Sequence, residues 1–201
     1  MNKKQFNISE ISKISILSAI SFLLMFLKFP LPFSPTFMEI DIAELPALIA
    51  GFAMGPVAGF LVICIKLLLS IVVKGSRTFY VGELSNLIVS ATFVLTTAII
   101  YKKHRNKKFA LLGLLIGSIC MSLVATISNY FVIFPLYAKI LKLDLNAFVN
   151  MVTKINPLVK NYFTLMVFSI LPFNLVKTFL TSIVTSILYK KISPILKKNN
   201  K

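Results

Sequence analysis

Three side chains have the types and spacing to do recognition chemistry inside an otherwise apolar chain: Asn129, Asn174 and Lys177. A carboxamide offers a donor and an acceptor side by side, and a lysine ammonium offers three donors and a positive charge. Asn174 and Lys177 are three residues apart, which puts them on one face of a helix. Within the apolar stretch Ile170–Tyr189, Lys177 lies seven residues from the near end. That is about 10 Å deep at the helical rise of about 1.5 Å per residue. Asn129 lies 20 residues beyond Phe109, where another apolar stretch begins, and so reaches the same outer boundary. A lone lysine there could extend its head to the interface, and a lone amide could bond neighbouring backbone. Two amides and an ammonium at one depth point instead to an outward-open pocket of amides, one cation and aromatics.

Other polar residues read differently. Lys66 falls near the middle of an apolar stretch, and Glu44 and Glu83 fall at the starts of two others. An ion pair between Lys66 and either carboxylate lowers the cost of burial, and this structural reading is preferred to a ligand role for Lys66. No G-x-x-x-x-G-K-[ST] or H-E-x-x-H is present, and the single histidine, His104, lies in a basic run. No paired carboxylates sit at matching depth inside the spans, so intramembrane hydrolysis and proton-coupled transport lack their usual parts, and no enzyme activity or metal site is expected. Cys64 and Cys120 sit alone inside apolar runs and read as small apolar helix residues.

The elements that carry these residues follow from composition. The chain has 201 residues, 57% hydrophobic and 14% charged, with a mean hydropathy of +0.88. A soluble domain needs about a quarter of its residues charged, and several apolar runs here approach the ~20 residues that cross a bilayer. The fold class is therefore an all-α integral membrane protein, one domain with a bundle of six transmembrane helices. The spans are expected at about 9–28, 40–54, 56–73, 82–101, 109–137 and 162–189, with a kink near Pro172. A proline-rich aromatic lid loop is expected over 29–39, and Gly55-Pro56 makes a tight reversal. The basic start followed by Ile14–Leu27 lacks a small-x-small cleavage site, so it reads as a retained first span.

The net charge of +16 does not indicate nucleic acid, because the basic residues cluster between apolar runs without interleaved aromatics. With the N-terminus inside, thirteen Lys and Arg fall in inner segments and seven in outer ones, leaving Lys66 and Lys177 within spans. That asymmetry puts both termini in the cytoplasm of a multi-pass cell-membrane protein. On the first helix, Ser12, Ser15 and Ala19, with Ser18 beside them, form a small-residue stripe. Such a stripe suits close approach of another membrane helix or packing within the chain.

The chain resembles the substrate-binding S components of energy-coupling factor (ECF) vitamin transporters, most closely the riboflavin-specific branch. The residues that carry the resemblance are Glu44-Leu45-Pro46-Ala47-Leu48-Ile49-Ala50-Gly51-Phe52, Gly55-Pro56-Val57-Ala58-Gly59, Gly82-Glu83-Leu84-Ser85-Asn86, Asn129-Tyr130-Phe131 and Pro172-Phe173-Asn174-Leu175-Val176-Lys177. The resemblance implies a high-affinity vitamin-capturing subunit with six helices and a first loop that covers the ligand. It also implies a membrane coupling (T) subunit and two cytoplasmic ATPase subunits as partners. In this family the coupling surface is typically Ala-x-x-x-Ala; here it is Ser15-x-x-x-Ala19.

The resemblance assigns the flavin ring to Asn129, Asn174 and Lys177. Phe29, Leu31 and Phe33 would wall its apolar end, and Glu83 and Asn86 are weaker candidates for the ribityl hydroxyls. Riboflavin is the transported ligand, and no cofactor is expected. The alternatives are an S component for thiamine or biotin, a membrane-embedded scaffold, or an enzyme acting on lipid. A cationic pocket and the absence of Trp argue against thiamine.

Overall fold

The structure, a computed structural model, describes residues 6–31, 38–76 and 79–198. The helices in chain order are α1 (Ile8–Leu24), α2 (Leu45–Met54), α3 (Pro56–Lys74), α4 (Val81–Lys103), α5 (Lys107–Ser128), α6 (Phe134–Leu141), α7 (Leu145–Thr153), α8 (Tyr162–Leu165) and α9 (Leu171–Lys198). π-helical turns at 129–133 and 166–170 join α5 to α6 and α8 to α9, making two long continuous helices. Among the described residues, four helices are long and apolar enough to cross a membrane: α3, α4, Lys107–Leu141 and Tyr162–Tyr189. α1 has 17 residues, and α2 is apolar but has only 10.

α1 starts cleanly because Asn7 and Glu10 cap each other's backbone N–H groups. Gly55 alone separates α2 from α3; its φ of 105° is open to glycine at little cost, and Pro56 begins the next helix. The sequence places the second helix at 40–54, whereas α2 begins at Leu45. The preceding residues are taken up by a two-stranded antiparallel ribbon, β1 (Phe29–Pro30) with β2 (Glu39–Ile40). The fold is therefore not purely helical, and the ribbon ties the two ends of the expected lid together. A Lys28–Glu39 ion pair at 3.2 Å lies across it.

Packing distinguishes two faces on each long helix. On α5, Ala110, Gly113, Leu114, Gly117, Met121 and Ala125 are buried at helical spacing. Leu111, Leu115, Ile119, Leu123 and Ile127 are exposed, an apolar stripe suited to lipid rather than water. α4 lies closest along α5, and glycine makes that approach possible. A Cβ on Gly113 would sit 2.8 Å from Thr97 O. Thr97 Oγ1 in turn donates to Gly113 O at 3.1 Å. Gly59 on α3 is equally confined, with a Cβ there 2.6 Å from Val94 Cγ1 and 2.8 Å from Ala47 O. The same end of the bundle carries Phe52, Tyr101 and Tyr189 in edge and tilted ring contacts, and the two tyrosine hydroxyls meet at 2.8 Å.

Residues 142–161 form a cap over the other end. α7 turns Phe148, Val149 and Val152 inward against Phe134, Val159, Leu165, Met166 and Ile170, a second small core apart from that of the main bundle.

Candidate functional site

A cavity of about 800 Å³ opens at the end where α3 and α5 finish and α4 and α9 begin. Its lining brings together Asn129, Asn174, Lys177, Glu83 and Asn86. Asn129 stands at the junction of α5 and the first π turn. Asn174 and Lys177 lie in the first two turns of α9, just beyond Pro172. All three are buried.

The two amides are held alike. Asn129 Nδ2 donates to Ala125 O at 2.7 Å, and Asn174 Nδ2 donates to Ile170 O at 2.8 Å. In each case the acceptor is the carbonyl four residues earlier, so the carboxamide is anchored by its own helix. Neither Oδ1 has a partner among the described residues, and both side chains line the cavity. Each carboxamide therefore retains an acceptor, and a second N–H, for a ligand.

Lys177, the expected cation of the pocket, is ion-paired. Its Nζ lies 3.2 Å from Glu44 Oε1 and 3.6 Å from Asp41 Oδ1. Glu44 Oε1 also lies 3.6 Å from Lys66 Nζ and accepts from Ser90 Oγ at 2.7 Å. The pairing of Lys66 with Glu44 agrees with the structural reading of Lys66. Lys66 additionally donates to Asn86 Oδ1 at 3.4 Å. Two lysines and two carboxylates thus form one buried, charge-balanced cluster linking α2, α3, α9 and the turn after β2. In this cluster each carboxylate faces an ammonium group, and Asp41 lies in a turn rather than in a span. Glu44 Oε2 is buried without a hydrogen-bond partner among the described residues.

Asp41 is the residue that sequence reasoning missed. It lies in the turn before α2, where its carboxylate accepts from Ala43 N at 2.9 Å as well as facing Lys177. Its only sequence signal is a position three residues before Glu44, in a chain with six acidic residues in all.

The remaining candidates divide. Glu83 accepts from Ser76 Oγ at 2.9 Å at the cavity mouth, and Asn86 Oδ1 lies 3.1 Å from Ser90 Oγ. Phe29 and Leu31 do not line the cavity, and Phe29 is exposed on the ribbon. Phe33 lies outside the described residues. The apolar wall is built instead by Met25, Phe26, Met38, Leu67, Phe134 and Phe173, among others. On α1, Ser12, Ser15 and Ala19 are exposed together, while Ser18, beside them, is buried. Ser12 and Ser15 donate to Ile8 O and Ile11 O, so their hydroxyls are satisfied within the helix.

The arrangement is suited to holding a ligand. Among the described residues no group of three or more His, Cys, Asp or Glu side chains could hold a metal. What the cavity offers is amide oxygens, a screened ammonium and apolar walls, in a volume typical of the about 300–1,000 Å³ that small-molecule sites occupy.

Comparison with known proteins agrees with this picture. The chain is 38% identical over 185 residues to the riboflavin transporter RibU of Staphylococcus aureus (strain TCH60), covering 92% of this chain and 90% of that protein. It is 35% identical over 182 residues to the riboflavin transporter FmnP of Bacillus subtilis (strain 168), covering 90% of each. A solved structure described as "Structure and mechanism of the S component of a bacterial ECF transporter" superposes with a TM-score of 0.73 at 35% identity, covering 94% of this chain and 98% of that one. Residues 10–189 match the family model described as "ECF transporter, substrate-specific component", and this multi-pass membrane protein belongs to that family.

Proposed function

We propose that the chain is the riboflavin-capturing subunit of an ECF-type, ATP-driven importer, which takes its ligand from outside and passes it on with a separate energising module. The observation that carries this reading is the convergence of Asn129 and Asn174, each with a carbonyl oxygen unpartnered among the described residues, on one cavity beside Lys177. The imide edge of the flavin alternates acceptor, donor and acceptor. A carboxamide oxygen suits the central N–H, and amide N–H groups suit the ring carbonyls. Asp41 and Glu44 face Lys177 from one side, leaving ammonium donor capacity for a ring oxygen. Because Lys66 and Lys177 balance the two carboxylates, the site has no net negative charge to favour a cation such as thiamine.

Six spans with both termini in the cytoplasm put the cavity at the outer face. The excess of Lys and Arg in the opposite segments supports that orientation. The partners in this reading are a membrane T subunit and two cytoplasmic ATPases, since the chain carries no P-loop of its own. Ser12, Ser15 and Ala19 offer the T subunit a small, exposed face whose serine hydroxyls are already satisfied.

The test is titration of riboflavin fluorescence with detergent-purified protein. The parent is expected to quench and to carry the yellow flavin absorbance. Asn174→Ala should weaken binding by about 1–3 kcal/mol while leaving the protein folded. Affinity unchanged in that variant would remove Asn174 from the site, and a parent that takes up no flavin would remove the function.

A further inference from the structure

Both long cavity helices are interrupted by a proline, at Pro135 and Pro172, and each has a π turn just before it. A proline supplies no N–H, so it leaves one carbonyl of the preceding turn without its helical donor. Inside a membrane that carbonyl needs a partner from elsewhere. In the first of these helices the choice of carbonyl sets the register. In the π turn Phe134 N donates to Asn129 O, five residues back, and the carbonyl left for Pro135 is Tyr130 O. In an α register Phe134 N would return to Tyr130 O, and Phe131 O would be left instead.

The hydroxyl of Tyr162 settles the choice. Tyr162 Oη donates at 2.7 Å to Tyr130 O and lies 3.2 Å from Asn129 O, so it serves the carbonyl that only the π register leaves open. Its ring is stacked on Tyr130, with centroids 4.8 Å apart. The register matters to the cavity because Asn129 and Phe134 both line it. Residues five apart are one hydrogen-bonded turn in a π-helix but about 140° apart around an α-helix.

We propose that Tyr162, outside the cavity, is a positioning residue for the ligand site: its hydroxyl holds the π register at 129–133 and so keeps the Asn129 carboxamide and the Phe134 wall on the same cavity. This rests on riboflavin being the ligand. The sequence signal is only a tyrosine at the start of the last expected span and a proline six residues after Asn129.

Tyr162→Phe removes the hydroxyl and keeps the stacked ring. The expected result is about fivefold to tenfold weaker riboflavin binding by fluorescence quenching. On an Asn129→Ala background the same change should cost less than in the parent, since only the Phe134 wall is then left to displace, whereas on an Asn174→Ala background, on the other helix, the losses should multiply. The visible absorption band of bound flavin, which follows hydrogen bonding at the imide edge, should shift in Tyr162→Phe in the direction seen for Asn129→Ala. Unaltered affinity in Tyr162→Phe, equal losses on both backgrounds, or an unshifted band would each overturn the role. A parent protein that binds no riboflavin defeats the functional reading itself, and is distinguished from those outcomes by the parent titration alone.

Discussion

The two ends of the bundle are held by opposite means. At the cavity end, helices are kept apart by polar side chains that bond across the gap: Asp41, Glu44, Lys66 and Lys177 in one cluster, with Ser90 and Asn86 completing it. At the other end, Gly59, Gly113 and Gly117 let backbones touch, and little but van der Waals contact and one threonine hydroxyl lies between α4 and α5. Within hydrocarbon no hydrophobic force draws helices together, so close contact and hydrogen bonds must do it. The difference teaches where volume can be left open: ligand space exists where directional bonds hold walls at a distance, and none is possible where glycine brings helices together.

Substitutions in each end probe this contrast. Glu44→Ala should have the largest effect. It leaves the wholly buried Lys66 without its carboxylate, a loss of about 3–5 kcal/mol expected for breaking a buried pair. Denaturant unfolding in detergent would read it, and a loss below about 1 kcal/mol would mean that the cluster does not hold that end. Gly113→Leu should come next, costing about 1–3 kcal/mol by overpacking against Thr97. The thermal midpoint of the unliganded protein measures that; an unchanged midpoint would show that α4 and α5 separate easily. Thr97→Val should be smallest, about 0.5–1.5 kcal/mol for one hydrogen bond, with riboflavin affinity unaltered. Any loss of affinity in Thr97→Val would mean that the two ends are not independent.

The sequence carries the depth of a polar residue better than its partners. Asn129, Asn174 and Lys177 could be placed at one height by counting along apolar runs, and the structure brings all three to one cavity. Asp41 could not, because it lies in a turn, where helical spacing gives no depth. Phe29 was misplaced for a related reason: a strand of two residues is too short to show which side faces in. The π turns escaped because Pro135 marks an interruption without saying which carbonyl it frees. The cap over 142–161 has polar residues among its apolar ones, and its inward face shows only once α7 is seen as a short amphipathic helix. The reversal at Gly55-Pro56 was legible because both residues have narrow backbone preferences.

The balanced cluster around Glu44 has one more implication. Moving an unbalanced elementary charge through a potential of about 100 mV costs or yields about 2.3 kcal/mol. Two ammonium groups and two carboxylates moving together carry no net charge. Any reorientation of this subunit within its bilayer is therefore neither driven nor opposed through that cluster by the transmembrane voltage.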